Sequence, residues 1–211
     1  MSGFDLVVAA AVGYLLGGFP TAALIARSRG RRIFEVGSGN MGAMNTARNL
    51  GFGMGLVVLA IDIAKGALAA WVGLGMGGVL GTGSGTGTVL ALTAGVGAVV
   101  GHAWSPYVGL RGGKALATAF GVTLPVAPWA GLATLTLLVA LVLILRRATL
   151  ATMITLVLYP LVSYLATMRA TLDQAFAFAI ATAAAVVAVV VALKHAMLWL
   201  AARDLRSDPD G

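Results

Sequence analysis

Residues 37–48 read GSGNMGAMNTAR and form a small, polar, glycine-rich stretch between two long apolar runs. Glycine permits left-handed backbone and lets the chain approach a ligand closely. Hydroxyl and amide side chains accompany the glycines, and Arg48 adds a planar cation suited to phosphate or carboxylate. Successive amides in such a loop can form an anion-binding concavity. Glycine with serine also makes ordinary linkers, so an inter-helix loop without a ligand is the alternative.

The composition around this stretch is that of an integral membrane protein. Of the 211 residues, 60% are hydrophobic and only 10% are charged, whereas soluble domains carry roughly 25% charged residues. The apolar runs are continuous rather than alternating, which predicts helical spans. The chain has no cysteine, which excludes disulfides and thiolate metal sites. We interpret the net charge of +7 as a sign of membrane topology, since basic residues collect on the cytoplasmic side, rather than as a sign of nucleic-acid binding.

The apolar runs predict seven membrane helices. The predicted spans are residues 4–26, 52–74, 89–101, two segments within 115–145, 149–166 and 175–200. Pro125 and Pro128 divide the long fourth run, because a single helix would place Arg146 and Arg147 on the opposite side of the membrane from Lys114. The fold class is therefore an all-α integral membrane protein with seven transmembrane helices.

The basic residues predict the orientation of these helices. Positive residues collect on the cytoplasmic side of a membrane, which places the N-terminus outside and the C-terminus in the cytoplasm. We expect residues 1–202 to form a single membrane domain and residues 203–211 a short, disordered cytoplasmic tail. Residues 75–88, GMGGVLGTGSGTGT, are predicted to be a flexible external linker because no basic residue lies near them.

Two ionisable residues and a proline stand out inside the predicted spans. Asp62 and Lys65 lie three residues apart and therefore on one face of the second helix. Ionisable groups within a span are costly and usually face protein or water. The pair is either a neutralising structural contact or a source of positive potential for a buried site. Pro20 predicts a kink near the inner end of the first helix.

Three polar turns face the cytoplasm on this topology, namely residues 37–48, 101–114 (GHAWSPYVGLRGGK) and 147–149. They bring together Ser38, Asn40, Asn45, Arg48, His102, Arg111, Lys114 and Thr149. Glycine-rich backbone with arginine and lysine describes a phosphate site. Carboxylates are nearly absent there and the two histidines are far apart in sequence, so we expect no metal and no cofactor.

Four blocks of the chain resemble the bacterial acyl-phosphate:glycerol-3-phosphate acyltransferases, the PlsY family. The blocks are YLLGGFPTAALIAR (14–27), GSGNMGAMNTARNLG (37–51), IDIAKGALAA (61–70) and GHAWSPYVGLRGGKALATAFGV (101–122). Four blocks in the family's order and topology are a more specific signal than any single loop. The resemblance implies seven helices in the bacterial inner membrane and an active site facing the cytoplasm.

The resemblance also implies a reaction. A fatty acyl group passes from acyl phosphate to the 1-hydroxyl of glycerol 3-phosphate, giving lysophosphatidate and inorganic phosphate. The expected partners are these two substrates, or a related polyol phosphate, and the lipid bilayer, with no nucleic acid. An acyl phosphate is already activated, so an enzyme has mainly to align the hydroxyl and stabilise developing negative charge.

The resemblance assigns roles to individual residues. Ser38, Arg48 and Lys114 match substrate-binding and catalytic positions, and His102 matches the family histidine and is a candidate base. A helix-end histidine bonded to a backbone carbonyl is the alternative for His102. The predicted substrate- or phosphate-binding residues are Gly37, Gly39, Asn40, Gly42, Asn45, Arg111, Gly112, Gly113, Thr149 and His195.

The chain departs from the family pattern at three places. Met41 and Met44 replace smaller or different residues, and Thr149 stands where a serine is expected. The family's C-terminal His-Arg-x-Asn is His195-Ala-Met-Leu here, without the arginine and asparagine. A diverged paralogue acting on another polyol phosphate, or a non-catalytic membrane protein retaining the fold, is therefore the alternative. The surface position of the polar clusters disfavours a transporter, and neither histidine has the His-x4-Asp pattern of acyl-CoA-dependent enzymes.

Overall fold

The computed structural model describes residues 1–78 and 85–207 of the chain. Within these ranges the chain folds into nine α-helices. They are α1 (Gly3–Gly18), α2 (Thr21–Ser28), α3 (Ala43–Leu50), α4 (Phe52–Met76), α5 (Gly85–Ala103), α6 (Leu116–Val126), α7 (Pro128–Leu145), α8 (Ala148–Thr171) and α9 (Gln174–Ser207). The all-helical fold class predicted from the continuous apolar runs is confirmed.

Six helical segments of the described chain are long and apolar enough to cross a membrane. They are Gly3–Ser28, Phe52–Met76, Gly85–Ala103, Pro128–Leu145, Thr149–Thr171 and Gln174–Leu200. The remaining apolar helix, α6, has 11 residues. At 1.5 Å per residue it is about 16 Å long, roughly half of a ~30 Å hydrocarbon core. The predicted division of residues 115–145 lies at Ala127, where Pro128 begins α7 because its missing N–H is not needed at that position.

Three boundaries differ from the predictions. Residues 43–48, predicted as part of the glycine-rich loop, belong to helix α3 (Ala43–Leu50). The predicted 75–88 linker is shorter, because α4 extends to Met76 and α5 already begins at Gly85. A Cβ on Gly77, just after α4, would meet the backbone of Gly87 on α5. Glycine at this position therefore allows the two segments to pack closely, which is a different role from the predicted flexibility. Residues 79–84 lie outside the described residues.

The predicted tail at 203–211 is also shorter. Helix α9 continues through Ser207, and residues 208–211 lie outside the described residues.

Small residues bring α1 and α5 into close contact. A Cβ on Gly13 or Gly17 would overlap the backbone of Ala94 or Ala98 on α5. Small residues four positions apart allow two helix backbones to approach in this way, which is how helices associate in lipid. The α1–α5 pair therefore forms a rigid support behind the polar loop that follows α5.

The break between α1 and α2 fixes that loop and α4 at the same place. The helix breaks at Pro20, so the carbonyls at the end of α1 need partners outside the helix. Ser105 Oγ donates to the Gly18 carbonyl at 2.6 Å, and Lys65 Nζ donates to the Phe19 carbonyl at 3.1 Å. The kink predicted at Pro20 is confirmed, and the carbonyls beside it anchor two elements of the site.

Candidate active site

The glycine-rich loop is held in shape by one asparagine. Asn45 Nδ2 donates to the carbonyls of Val36 (3.1 Å) and Asn40 (3.0 Å), while Asn45 Oδ1 accepts from the Ser38 amide and from Asn49 Nδ2, both at 3.0 Å. All four hydrogen-bonding positions of the amide are therefore occupied. Asn45, predicted to bind substrate, instead supports the loop from behind and has no donor or acceptor left for a ligand.

Glycines and Met41 complete the shape of this loop. Gly37 and Gly39 adopt φ values of +58° and +63°, which side chains disfavour. Met41 is buried among the apolar residues of α2 and α4 and anchors the loop to the bundle. Beyond it, Gly42 is the N-cap of α3, whose first turn faces the cavity described below.

The second polar loop closes on His102. The Gly113 amide donates to the His102 carbonyl at 3.1 Å, and a Cβ on Gly113 would meet His102 Nε2. A Cβ on Gly112 would meet the His102 and Ala103 carbonyls. The Gly112–Gly113 pair therefore lets the chain pass directly over the end of α5, and Lys114 follows in the wall of the cavity that His102 also lines. These glycines act through packing rather than as ligands for phosphate.

The two loops also contact each other. The Arg111 guanidinium stacks on the Phe34 ring at 4.0 Å from the centroid, a cation–π contact. Close to it, the position of a Cβ on Gly113 lies 3.1 Å from the Met41 carbonyl. Arg111, predicted to bind phosphate, is exposed and joins the loops. The predicted convergence of residues 37–48 and 101–114 is confirmed by these contacts.

A buried charged group lies beneath the loops. Asp62 Oδ1 accepts from Lys65 Nζ at 2.8 Å and lies 3.6 Å from His102 Nδ1. All three side chains are buried, with His102 only 3% exposed. Removing one member of such a pair would leave an uncompensated charge. The neutralising, structural interpretation of the Asp62–Lys65 pair is supported, and Asp62 additionally faces the histidine.

These elements border a cavity of about 570 Å³. One end is polar and is formed by Asn40, Gly42, Asp62, His102 and Lys114. The rest of the wall is mainly apolar and comes from α4, α6, α7, α8 and α9; it includes Leu59, Ile63, Leu116, Ala119, Phe120, Leu135, Leu138, Leu156, Val187 and Val191. The lining suits a molecule with a polar group at one end and an apolar remainder.

Three polar atoms in the cavity wall have no hydrogen-bond partner among the described residues. They are Asn40 Oδ1, His102 Nδ1 and Thr155 Oγ1, and all three are buried. An unsatisfied buried polar atom costs about 1–3 kcal/mol, so native proteins rarely retain one without a use. Asn40 and Thr155 thus leave hydrogen-bonding capacity in the cavity wall that the described residues do not use.

Lys114 supplies the positive charge at the cavity. It is half-buried, and this burial lowers the pKa of its ammonium group because desolvation penalises the charged form. An anion in the cavity would reverse that penalty.

Other predicted residues lie outside the cavity wall. Ser38, Arg48 and Thr149 are exposed, and His195 is buried with Nδ1 3.3 Å from the Val191 carbonyl. Arg48 shares the short helix α3 with the cavity-lining Ala43, about 7.5 Å further along its axis at 1.5 Å per residue. Arg48 and Lys114 therefore belong to the same end of the bundle.

Several wall residues were not predicted. Thr152 and Thr155 line the cavity one and two turns after the predicted Thr149, and Asp62 faces it from α4. Threonines one turn apart within an apolar helix share a face, so helical periodicity would have identified the first two. Among the described residues no three His, Cys, Asp or Glu side chains come together as a metal-binding group.

Together, the fold and this site define a multi-pass, all-helical membrane protein with a cavity that is polar at one end, where Lys114 lies, and mainly apolar along the rest of its wall. Residues 7–199 match the glycerol-3-phosphate acyltransferase family, and the chain belongs to this family.

Relatives by sequence carry the same description. A glycerol-3-phosphate acyltransferase 1 of Deinococcus radiodurans is 42% identical over 134 residues, which cover 64% of each chain. This match thus spans less than two thirds of that relative. The glycerol-3-phosphate acyltransferase of Parasynechococcus marenigrum is 39% identical over 72% of this chain and 68% of its own. That of Chlorobaculum tepidum is 35% identical over 78% and 75%.

A solved structure has the same fold. The crystal structure of PlsY, an integral membrane glycerol 3-phosphate acyltransferase, in its glycerol 3-phosphate form superposes with a TM-score of 0.74. It covers 91% of this chain and 88% of PlsY at 26% identity. The lysophosphatidic acid form gives a TM-score of 0.72 at 24% identity and agrees in fold.

Proposed function

We propose that this protein transfers a fatty acyl group from acyl phosphate to the 1-hydroxyl of glycerol 3-phosphate, giving lysophosphatidate and inorganic phosphate for phospholipid synthesis. Family membership and the relatives' printed activities support the acceptor. The acyl-phosphate donor is supported by the cavity, whose polar end contains a cation and whose remaining wall is mainly apolar.

The cavity is the observation that carries this proposal. The acyl tail occupies the apolar part between α6, α7, α8 and α9, where burial of each CH₂ group contributes about 0.8 kcal/mol. The carbonyl and phosphate then lie at the polar end, near Lys114 and the first turn of α3. Positive charge and backbone amides there suit the departing phosphate.

The reaction is a direct acyl transfer. The 1-hydroxyl oxygen of the acceptor attacks the carbonyl carbon and forms the new ester bond. The bond from that carbon to the phosphate oxygen breaks, and its electron pair leaves with phosphate. His102 takes the hydroxyl proton and returns it to the released phosphate.

The geometry around His102 supports this role. Its side chain forms part of the polar end of the cavity, where the reacting carbonyl is proposed to lie, and its Nδ1 is 3.6 Å from the Asp62 carboxylate. Lys114 stabilises negative charge on the phosphate oxygens, and Asn40 Oδ1 accepts a hydrogen bond from a glycerol hydroxyl. Ser38 and Arg48, exposed at the same end, bind the phosphate of the acceptor as it enters.

The test is turnover by the purified protein in lipid nanodiscs. Palmitoyl phosphate and glycerol 3-phosphate are expected to give lysophosphatidate by mass spectrometry and one equivalent of phosphate. Reactions without acceptor measure hydrolysis, and palmitoyl-CoA tests the donor. Formation of lysophosphatidate from palmitoyl-CoA but not from palmitoyl phosphate would overturn the proposal that acyl phosphate is the donor. Turnover only with another polyol phosphate would establish the diverged acceptor that loss of the arginine and asparagine after His195 allows.

The same proposal includes seven spans, with α6 as the short one, in the bacterial inner membrane. The N-terminus lies outside and the active site faces the cytoplasm. Because the chain has no cysteine, single cysteines at the exposed Arg147 and Gln174 can report topology. In spheroplasts, an impermeant maleimide should label Gln174→Cys directly and Arg147→Cys only after permeabilisation. The reverse labelling would refute this orientation.

A further inference from the structure

Lys194 on α9 is a buried cation without a carboxylate partner among the described residues. Its side chain is 6% exposed, and the contact recorded for its Nζ is with the Trp104 ring, at 5.2 Å from the centroid. A cation–π contact stabilises by about 0.5–2 kcal/mol. Removing an ammonium group from water costs several kcal/mol, so the ring alone does not compensate the charge. Lys65, by contrast, has both Asp62 and a backbone carbonyl.

The position of Lys194 relates it to the cavity. Val187 and Val191 form part of the cavity wall, and Lys194 follows three residues after Val191 on the same face of α9. Trp104, whose ring lies 5.2 Å from Lys194 Nζ, follows the wall residue His102 by two positions, and Lys114 is itself a wall residue. The two lysines therefore approach the polar end of the cavity from different elements, one from the loop after α5 and one from α9.

We propose that Lys194 is a phosphate-binding residue at the cavity mouth, holding a substrate phosphate from the α9 side with Trp104 as the support for its side chain. This inference rests on the proposed acyl transfer, because it identifies a second cation for phosphate in the same site. Both substrates carry a phosphate, and separate kinetic measurements decide which one Lys194 binds.

Lys194→Met keeps an unbranched apolar side chain and removes the charge. Loss of one charge-assisted contact should raise the KM of one substrate by roughly tenfold to a hundredfold, with a smaller change in kcat. Lys194→Arg should restore most of the affinity. Arg169→Met is the matched control, because Arg169 is an exposed cation far along α8 from the cavity and should leave both KM values unchanged.

Tryptophan fluorescence gives a second signature. Titration with inorganic phosphate or glycerol 3-phosphate should change the emission of Trp104 as the ammonium moves from the ring to the anion. The change should be absent in Trp104→Phe and in Lys194→Met. A purely structural lysine would lower the melting temperature of Lys194→Met without altering KM or producing a phosphate-dependent signal.

The outcomes separate the two proposals. Active wild-type protein with unchanged KM values in folded Lys194→Met overturns the role of Lys194 and leaves the acyl transfer intact. If Lys194→Met does not fold, a wild-type phosphate titration without a Trp104 signal overturns it. Wild-type protein that binds phosphate through Lys194 but makes no lysophosphatidate overturns the acyl transfer instead.

Discussion

Replacing Lys114 with methionine tests the central cation of the site. Lys114 is half-buried at the polar end of the cavity, and methionine retains an unbranched apolar side chain while removing the charge. A charge-assisted contact to a substrate contributes about 1.5–3 kcal/mol, equivalent to roughly 10- to 150-fold. A donor that stabilises charge developing in the transition state contributes ~10²–10³ in kcat. We therefore expect kcat/KM to fall by at least about tenfold.

The pH dependence gives this prediction a sharper form. Burial lowers the pKa of Lys114, so its charge is lost at a lower pH than that of a solvated lysine. Below that pKa, the KM for the anionic substrate is flat; above it, KM rises about tenfold per pH unit because binding requires protonation. Lys114→Arg removes the rise, since guanidinium stays protonated with a pKa above about 12.

The assay is phosphate release in nanodiscs between pH 6 and pH 10, corrected for uncatalysed hydrolysis of acyl phosphate. Lys114→Arg should remain measurably active with a flat KM, whereas the methionine variant should be slow at every pH. A loss of less than about tenfold in Lys114→Met, or the same alkaline rise in wild type and Lys114→Arg, would refute this role of the cation.

Three further substitutions probe the geometry of the site. Gly113→Ala places a methyl group against His102 Nε2, so kcat should fall at least tenfold, while Gly53→Ala, at an open position, should match wild type. Ala119→Phe fills the apolar wall, so turnover of palmitoyl phosphate should fall much more than that of butyryl phosphate; equal losses would contradict a tail in the cavity. Asn45→Ala removes four hydrogen bonds of ~1 kcal/mol each, so the melting temperature should fall by several degrees together with affinity for phosphate; an unchanged melting temperature would contradict its supporting role.

The sequence predicted that the turns at residues 37–48 and 101–114 lie together, because glycine, proline and charged residues interrupt an otherwise apolar chain there. Asp62 and Lys65 could be placed on one helical face from their spacing alone, and their ion pair at 2.8 Å confirms this. Pro125 and Pro128 likewise located the break at Ala127. Local rules of this kind depend on neighbours within a few residues.

The rest required three-dimensional structure. An asparagine has the same chemistry whether it binds a ligand or a loop backbone. Only the geometry shows that all donors and acceptors of the Asn45 side chain bond to the loop and α3. Thr155 and Lys194 stand within apolar helices, where sequence alone suggests a helix-facing hydroxyl and a helix-end cation. The place of Thr155 in the cavity wall and the contact of Lys194 with Trp104 depend on the packing of α8 and α9 against elements far away in the chain.

The proline break near the start of the chain has a consequence for biosynthesis. Asp62, Lys65 and the Phe19 carbonyl all lie within the first third of the sequence. Charged groups without a partner are costly in lipid, and these groups can pair with one another as soon as α4 has followed α1 into the bilayer. The cavity wall, in contrast, needs Val187 and Val191 from the last helix. A nascent chain can thus insert stably into the membrane well before its cavity is complete. Chains truncated before α9 should therefore insert into the membrane but fail to bind a long-chain acyl phosphate.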